Sequence, residues 1–194
     1  MNPAIKSTNP QGKGLVPLLE SLLQTRKTLL TPAKDIRQIA NELFTSLFVL
    51  NSQIKFKPVI GQTYWLYSKD ATYKLSLIAP DQWSPLQYGR FIGACRLQTD
   101  LTWTLRLSDQ SSNDQKLTAE IARQRECFDL KLKRAERIDD LLPVYVETLP
   151  FYSRVLASAL AHSLRQSMLK GGICGLNFNQ AQKSVLPPKS NTLR

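Results

Sequence analysis

Between residues 63 and 107 the bulk of the apolar side chains recurs at every second position, while the segments on either side repeat every three to four residues. A chain with that switch of period has to pack a sheet against helices. The alternation predicts strands at Thr63 to Ser68, Thr72 to Ala79, Arg90 to Leu97 and Leu101 to Leu107. They are divided by Lys69-Asp70-Ala71, a proline-rich loop from Pro80 to Gly89, and Gln98-Thr99-Asp100. If both three-residue loops close tight hairpins, residues 65 and 75, 67 and 73, 95 and 103, and 97 and 101 pair. One parity then collects the bulk: Trp65, Tyr67, Tyr73, Leu75, Leu77, Phe91, Cys95, Leu97, Leu101, Trp103, Leu105 and Leu107 form the expected core face. The even face is mixed, with Tyr64, Leu66, Ile78, Ile92 and Ala94 beside Lys74, Arg96, Thr102, Thr104 and Arg106, and is expected to be half covered.

Helical spacing surrounds this block. Leu15, Leu18, Leu19, Leu22 and Leu23 share one face of a short amphipathic segment reaching Leu30. After Thr31-Pro32, a start signal, Ile36, Ile39, Ala40, Leu43, Phe44, Leu47 and Phe48 keep strict helical spacing. Lys116 to Asp140 predicts a charged helix with a narrow stripe of Leu117, Ile121, Phe128, Leu132 and Ala135. Phe151 to Leu169 predicts the last helix, ended by Gly171-Gly172. The expected fold class is therefore α+β: a four-stranded antiparallel sheet over about residues 63–107, packed by N-terminal and C-terminal amphipathic helices. Residues 1–14, with two Asn-Pro pairs, read as a flexible arm, 15–180 as a single domain and 181–194 as a flexible tail. Gly12-Lys13-Gly14 is not a phosphate loop, since the GxxxxGK[ST] frame and a preceding apolar strand are missing.

Composition removes several function classes. The most apolar run, Val155 to Ala161, is far shorter than the ~18 residues of a membrane span and is flanked by Arg154 and Arg165. The first ten residues lack a basic stretch leading into an apolar one, so no secretory signal is expected and the cytoplasm is the expected location. Cys95, Cys127 and Cys174 have no CxxC spacing, and His162 is the sole histidine, so neither a disulfide framework nor a metal site is expected. No cofactor is implied.

A set of aromatics, glycines and prolines is more distinctive: Gly61-Gln-Thr-Tyr64-Trp-Leu66-Tyr67, Ser76-Leu-Ile-Ala-Pro80-Asp-Gln-Trp83, Phe91-Ile-Gly93 and Leu97-Gln-Thr-Asp100-Leu-Thr-Trp103-Thr104. Together they resemble the domain-of-unknown-function family 2452, most strongly over about residues 59–104. Asn9-Pro-Gln-Gly-Lys-Gly14 and Leu149-Pro-Phe-Tyr152 resemble its bacterial members. The resemblance implies a shared fold unit; it brings no activity and no site residue.

The residues themselves offer little catalytic chemistry. His162 sits on the polar flank of the last helix, with Ser158, Arg165 and Gln166 at helical spacing. Cys174, in Gly171-Gly-Ile-Cys-Gly175 near Lys170, is the one candidate nucleophile, but no histidine lies near it in sequence. Cys127, beside Phe128, reads as packing. Asp139 and Asp140 are adjacent, project in different directions and do not face a common substrate. Trp83 in the proline-rich loop is a candidate for stacking on a small molecule or peptide.

The charge has a direction. The formal net charge is +11, and its excess by segment is +5 over 1–58, +1 over 59–110, −1 over 111–150 and +6 over 151–194, with no acid after Glu147. Candidate anion- or nucleic-acid-binding residues are Lys74, Arg96 and Arg106 on the even sheet face, and Arg154, Arg165 and Lys170 on the last helix. The sequence reads as a non-enzymatic protein binding a polyanion such as RNA, or an acidic protein, through basic surface. The alternatives are a small-molecule or peptide module near Trp83 and an enzyme using Cys174. Solubility alone accounts for the same charge equally well.

Overall fold

The computed structural model describes residues 31–82, 84, 89–144 and 146–184. The expected arm at 1–14, the segment Leu15 to Leu30, Trp83 and the tail from 185 lie outside the described residues. The main elements in chain order are α1 (Ile36–Leu50), β1 (Thr63–Lys69), β2 (Thr72–Ser76), β3 (Arg90–Leu97), β4 (Trp103–Leu107), α2 (Gln115–Arg134), α3 (Phe151–Lys170) and α4 (Phe178–Lys183), with single helical turns at Pro80–Gln82, Asp109–Ser112 and Ile138–Leu141. The four strands form one antiparallel sheet in the order β2-β1-β3-β4, so the expected α+β architecture holds.

α1 starts at Asp35 rather than at the expected Thr31-Pro32. A capping box wins: the Asp35 carboxylate accepts from Gln38 N–H at 2.8 Å, and the Gln38 side chain accepts from Asp35 N–H at 3.1 Å. Ile36, Ile39, Ala40 and Leu43 are buried in the core, and the helix is tied to the sheet where the N–H of Trp103 donates to Ser46 Oγ at 2.9 Å.

The first hairpin departs from the expected register by one residue. Its loop has two residues, Asp70 and Ala71, with φ of 50° and 59°, and Lys69 pairs with Thr72, Tyr67 with Lys74 and Leu66 with Leu75. Positive φ at both central positions defines the mirror-image turn whose twist matches a hairpin. A slip of one turns β1 over. Tyr64 and Leu66 therefore join the core, and Trp65, expected to be mostly buried, lies half-buried outside it. β3 carries a bulge opposite β1: Leu66 faces Gly93 and Tyr67 faces Phe91, which leaves Ile92 as the extra residue, itself buried in the core. Tyr67 and Phe91 meet on the far side with ring centroids 5.6 Å apart.

The second hairpin also departs, but by two residues, so parity survives. Leu97 pairs with Trp103 and Cys95 with Leu105, not 97 with 101. The loop is wider because Gln98 N–H donates to Thr102 O at 2.8 Å and Leu101, at φ 67°, sends its side chain into the core. Cys95, Leu97 and Trp103 stay on the core face as expected. Gly93 permits the close packing of β4, since a Cβ there would lie 2.3 Å from the carbonyl oxygen of Arg106.

α2 ends at Arg134, short of the expected Asp140, because Ala135 turns extended and Ile138 is drawn into the core with its N–H on Leu176 O at 3.0 Å. Leu132 is buried and Leu117, Ile121 and Phe128 pack at the core edge, whereas Cys127, expected to pack, is exposed. α3 follows Pro150 and runs to Lys170, with Val155, Leu156, Ala159, Leu160 and Leu164 buried. Packing continues past residue 180, where α4, capped by Asn177, buries Ala181.

Alanine in the left-handed region carries a cost of about 1–2 kcal/mol that glycine escapes. Ala71→Gly should therefore raise the thermal midpoint, with a gain of about 1 kcal/mol in urea melts after glycine's extra unfolded-state entropy is subtracted. A loss of stability in that variant would contradict the two-residue turn.

Candidate functional site

Side chains opposite one another in an antiparallel sheet share a face, so the register fixes the composition of the side turned away from the core. Trp65, Ala94 and Arg106 form one row across β1, β3 and β4; Thr63, Arg96 and Thr104 form the next; Tyr67 and Lys74 continue on the other side. Lys74, Arg96 and Arg106, expected on one sheet face, are therefore together on it. None of the four strands contains an Asp or Glu.

Some cations elsewhere are spent in ion pairs, while others, among them Arg37, Lys131, Lys133 and Arg134, are as exposed as those of this face. Arg123 pairs with Glu120 at 2.8 Å, Arg125 with Asp129 at 2.9 Å and Arg137 with Asp140 at 2.8 Å, while Arg90 bridges to Asp114 at the α2 cap. Lys74, Arg96 and Arg106 are exposed, and among the described residues their cationic groups have neither an ion pair nor a hydrogen bond. The indole N–H of Trp65 likewise donates to nothing among the described residues. The buried unpaired side-chain atoms of the described residues are Arg90 Nε, Ser153 Oγ and Ser167 Oγ, and the Trp65 N–H is not among them. Trp103 behaves oppositely, sealed in the core beside Tyr64 with centroids 5.9 Å apart.

The α3 cations are distributed differently. Arg154 folds back, its Nη2 and Nε donating to Leu149 O at 3.0 and 3.3 Å. Lys170 donates to Thr31 O at 2.8 Å. Arg165 is exposed and adjoins Cys174, whose S–H donates to Asp139 Oδ2 at 3.3 Å. Burial and the Asp139 carboxylate push the Cys174 thiol up against the opposing pull of Arg165, the reverse of what a nucleophile needs. Asp139 also accepts from Gly175 N–H at 3.1 Å, while Asp140 turns outward to Arg137, so the two carboxylates do diverge. His162 is exposed. Among the described residues there is no group of three or more His, Cys, Asp or Glu that could hold a metal ion, and no helix is long and apolar enough to cross a membrane.

A buried polar cluster went unnoticed in the sequence. Lys34, 5% exposed, directs its ammonium to the carboxylates of Glu42 and Asp100 together. Asp100 also accepts from Thr102 Oγ1 at 2.7 Å and Thr102 N–H at 3.2 Å, and its carbonyl accepts from Ser163 on α3. Burial pulls the Asp100 carboxyl upward, but Lys34 and Thr102 outweigh it and hold the group below its ordinary value. Glu42, with Lys34 as its sole donor among the described residues and Asp100 as a like charge, is raised by burial despite Lys34. Asp100 stands in the quoted Leu97-Gln-Thr-Asp100 motif, the one sequence signal that pointed to it. Two further depressions exist: a cleft of about 260 Å³ bordered by Arg37, Asn41, Arg125 and Lys133, and an apolar one of about 180 Å³ between Phe44, Phe48, Leu107 and Ile121.

Sheet topology and site together define an α+β protein with one cation-rich, acid-free sheet face. The family described as "Protein of unknown function (DUF2452)" matches residues 24–124, and the chain belongs to that family. No curated protein and no solved structure matches the chain.

Lys34→Met should cost about 3–5 kcal/mol at pH 7 in urea melts, since it strands two carboxylates. The penalty should shrink on acidification. Asp100, lowered in the folded state, contributes stability above its unfolded value that is lost as pH falls through its folded value; raised Glu42 has the opposite sign. A penalty of equal size at pH 3 and pH 7 would contradict this assignment.

Proposed function

We propose that this is a non-enzymatic, polyanion-binding protein, with RNA as its partner class, and that it binds through the outer face of the sheet. The observation that carries the reading is the set of Lys74, Arg96 and Arg106 on strands devoid of acid, each with its charge unspent among the described residues. Unpaired cations on a sheet can give phosphate oxygens charge-assisted hydrogen bonds without first breaking an ion pair within the chain. The α3 stripe offers less, because Arg154 and Lys170 already donate to backbone carbonyls of their own chain. Free Cys95, Cys127 and Cys174 are compatible with a reducing, cytoplasmic setting.

The double variant Arg96→Glu/Arg106→Glu should keep its melting profile and bind labelled RNA far more weakly. Its log–log salt dependence should flatten by roughly 1.4, about 0.7 for each single-strand phosphate that is no longer neutralised. The matched variant Arg154→Glu/Arg165→Glu should change affinity much less. Unchanged affinity in the folded sheet-face variant would leave the charge as a device for solubility.

A further inference from the structure

Charge alone does not distinguish one polyanion from another; the row that carries the charge also carries an aromatic ring. Resting on the polyanion reading above, we propose that the outer sheet face binds single-stranded RNA, with one unstacked base lying on Trp65 above Ala94 and phosphates held by Arg96 and Arg106.

Three features support that occupant. The Trp65 indole is half-buried, donates its N–H to nothing among the described residues and stands on a strand rather than a loop. Ala94, its neighbour in the row, contributes one methyl group, so the space between the Trp65 ring and the Arg106 guanidinium has a low floor. Two strand spacings separate those residues, roughly 10 Å, enough to seat one base. Arg96 lies one row away on β3 beside Thr63 on β1. A cation and a hydroxyl side by side suit a phosphate and the ribose 2′-OH that follows it.

A duplex keeps its base faces stacked and gives Trp65 nothing to lie on, and a sulfated polysaccharide has no flat π system. The face therefore discriminates by stacking as well as by charge. An acidic peptide would meet the cations and leave the indole without a matching ring unless it also carried an aromatic side chain.

The test uses the full-length chain in fluorescence-polarisation titrations at two salt concentrations. Probes are a 12-nucleotide oligouridylate, the same sequence as DNA, a 12-base-pair RNA duplex and a heparin fragment of matched charge. Trp65→Leu keeps apolar packing without a π face, and Trp65→Phe keeps a smaller one. Oligouridylate should bind most tightly. Trp65→Leu should weaken it about 5- to 150-fold, the loss of one base–aromatic stack, with most of the affinity retained in Trp65→Phe. Duplex and heparin binding should be nearly indifferent to both changes, because their contacts are ionic. Equal binding of duplex or heparin, or an unaffected Trp65→Leu, would overturn the stacking site; if Arg96→Glu/Arg106→Glu still abolished binding, the polyanion reading would stand. DNA binding as tight as RNA would overturn the choice of RNA, and absence of binding to every probe would overturn both readings.

Discussion

The direction in which β1 faces depends on two residues. Asp70 and Ala71 both adopt positive φ, which closes the first hairpin in two residues and places Tyr64 and Leu66, rather than Trp65 and Tyr67, toward the helices. β1 is a central strand, paired on both sides, so its orientation propagates. On the core side Tyr64 stacks with Phe56 at 5.2 Å and meets Trp103 at 5.9 Å. On the other side Trp65 stands in line with Arg106. The bulge at Ile92 then lets β3 bury an extra aliphatic residue while Phe91 turns to meet Tyr67.

The opposite end of the sheet is held by charge. Lys34 leaves water almost completely, and that is tolerable because two carboxylates accept hydrogen bonds from its ammonium. The cluster ties the approach to α1, the β3–β4 turn and, through Ser163, α3. Gly171 belongs to the same junction, since a Cβ there would lie 2.6 Å from the Lys34 carbonyl oxygen. Leu101, held at positive φ inside this turn, is restrained by its buried side chain and by the Asp100–Thr102 bonds around it. A turn fixed on three sides keeps β3 and β4 in register, and with them the spacing of Arg96 and Arg106.

Which parts were legible in the sequence follows from how each error acts. Helical period identified α1 and α3 and their buried residues because several turns of consistent spacing outweigh a misplaced cap, as the Asp35 box shows against Thr31-Pro32. In the second hairpin a shift of two left Cys95, Leu97, Trp103, Leu105 and Leu107 on their expected face, and only the bulge at Ile92 exchanged it with Phe91. In the first a shift of one inverted a strand, and Asp-Ala carries no glycine to announce a two-residue turn. Lys74, Arg96 and Arg106 keep their common face through both shifts, whereas Trp65, expected in the core, turns out of it. The Lys34 cluster was invisible because Lys34 and Asp100 stand 66 residues apart, and a lone lysine before a helix has no local signature of burial.

The outer face thus combines what two structural constraints place there: an indole set by the turn, and cations that the acid-free strands leave without partners among the described residues. An exposed lysine or arginine is ordinary by itself; three on one face beside a half-buried indole are what the proposed charged, ring-bearing chain would meet. Photo-crosslinking of a 4-thiouridine-substituted oligoribonucleotide, read by peptide mass spectrometry, tests that claim most directly. Adducts should concentrate on the β1 peptide containing Trp65 and the β3 peptide spanning Ala94 and Arg96. Adducts confined to α3, or scattered evenly over the chain, would contradict the assignment of the outer sheet face.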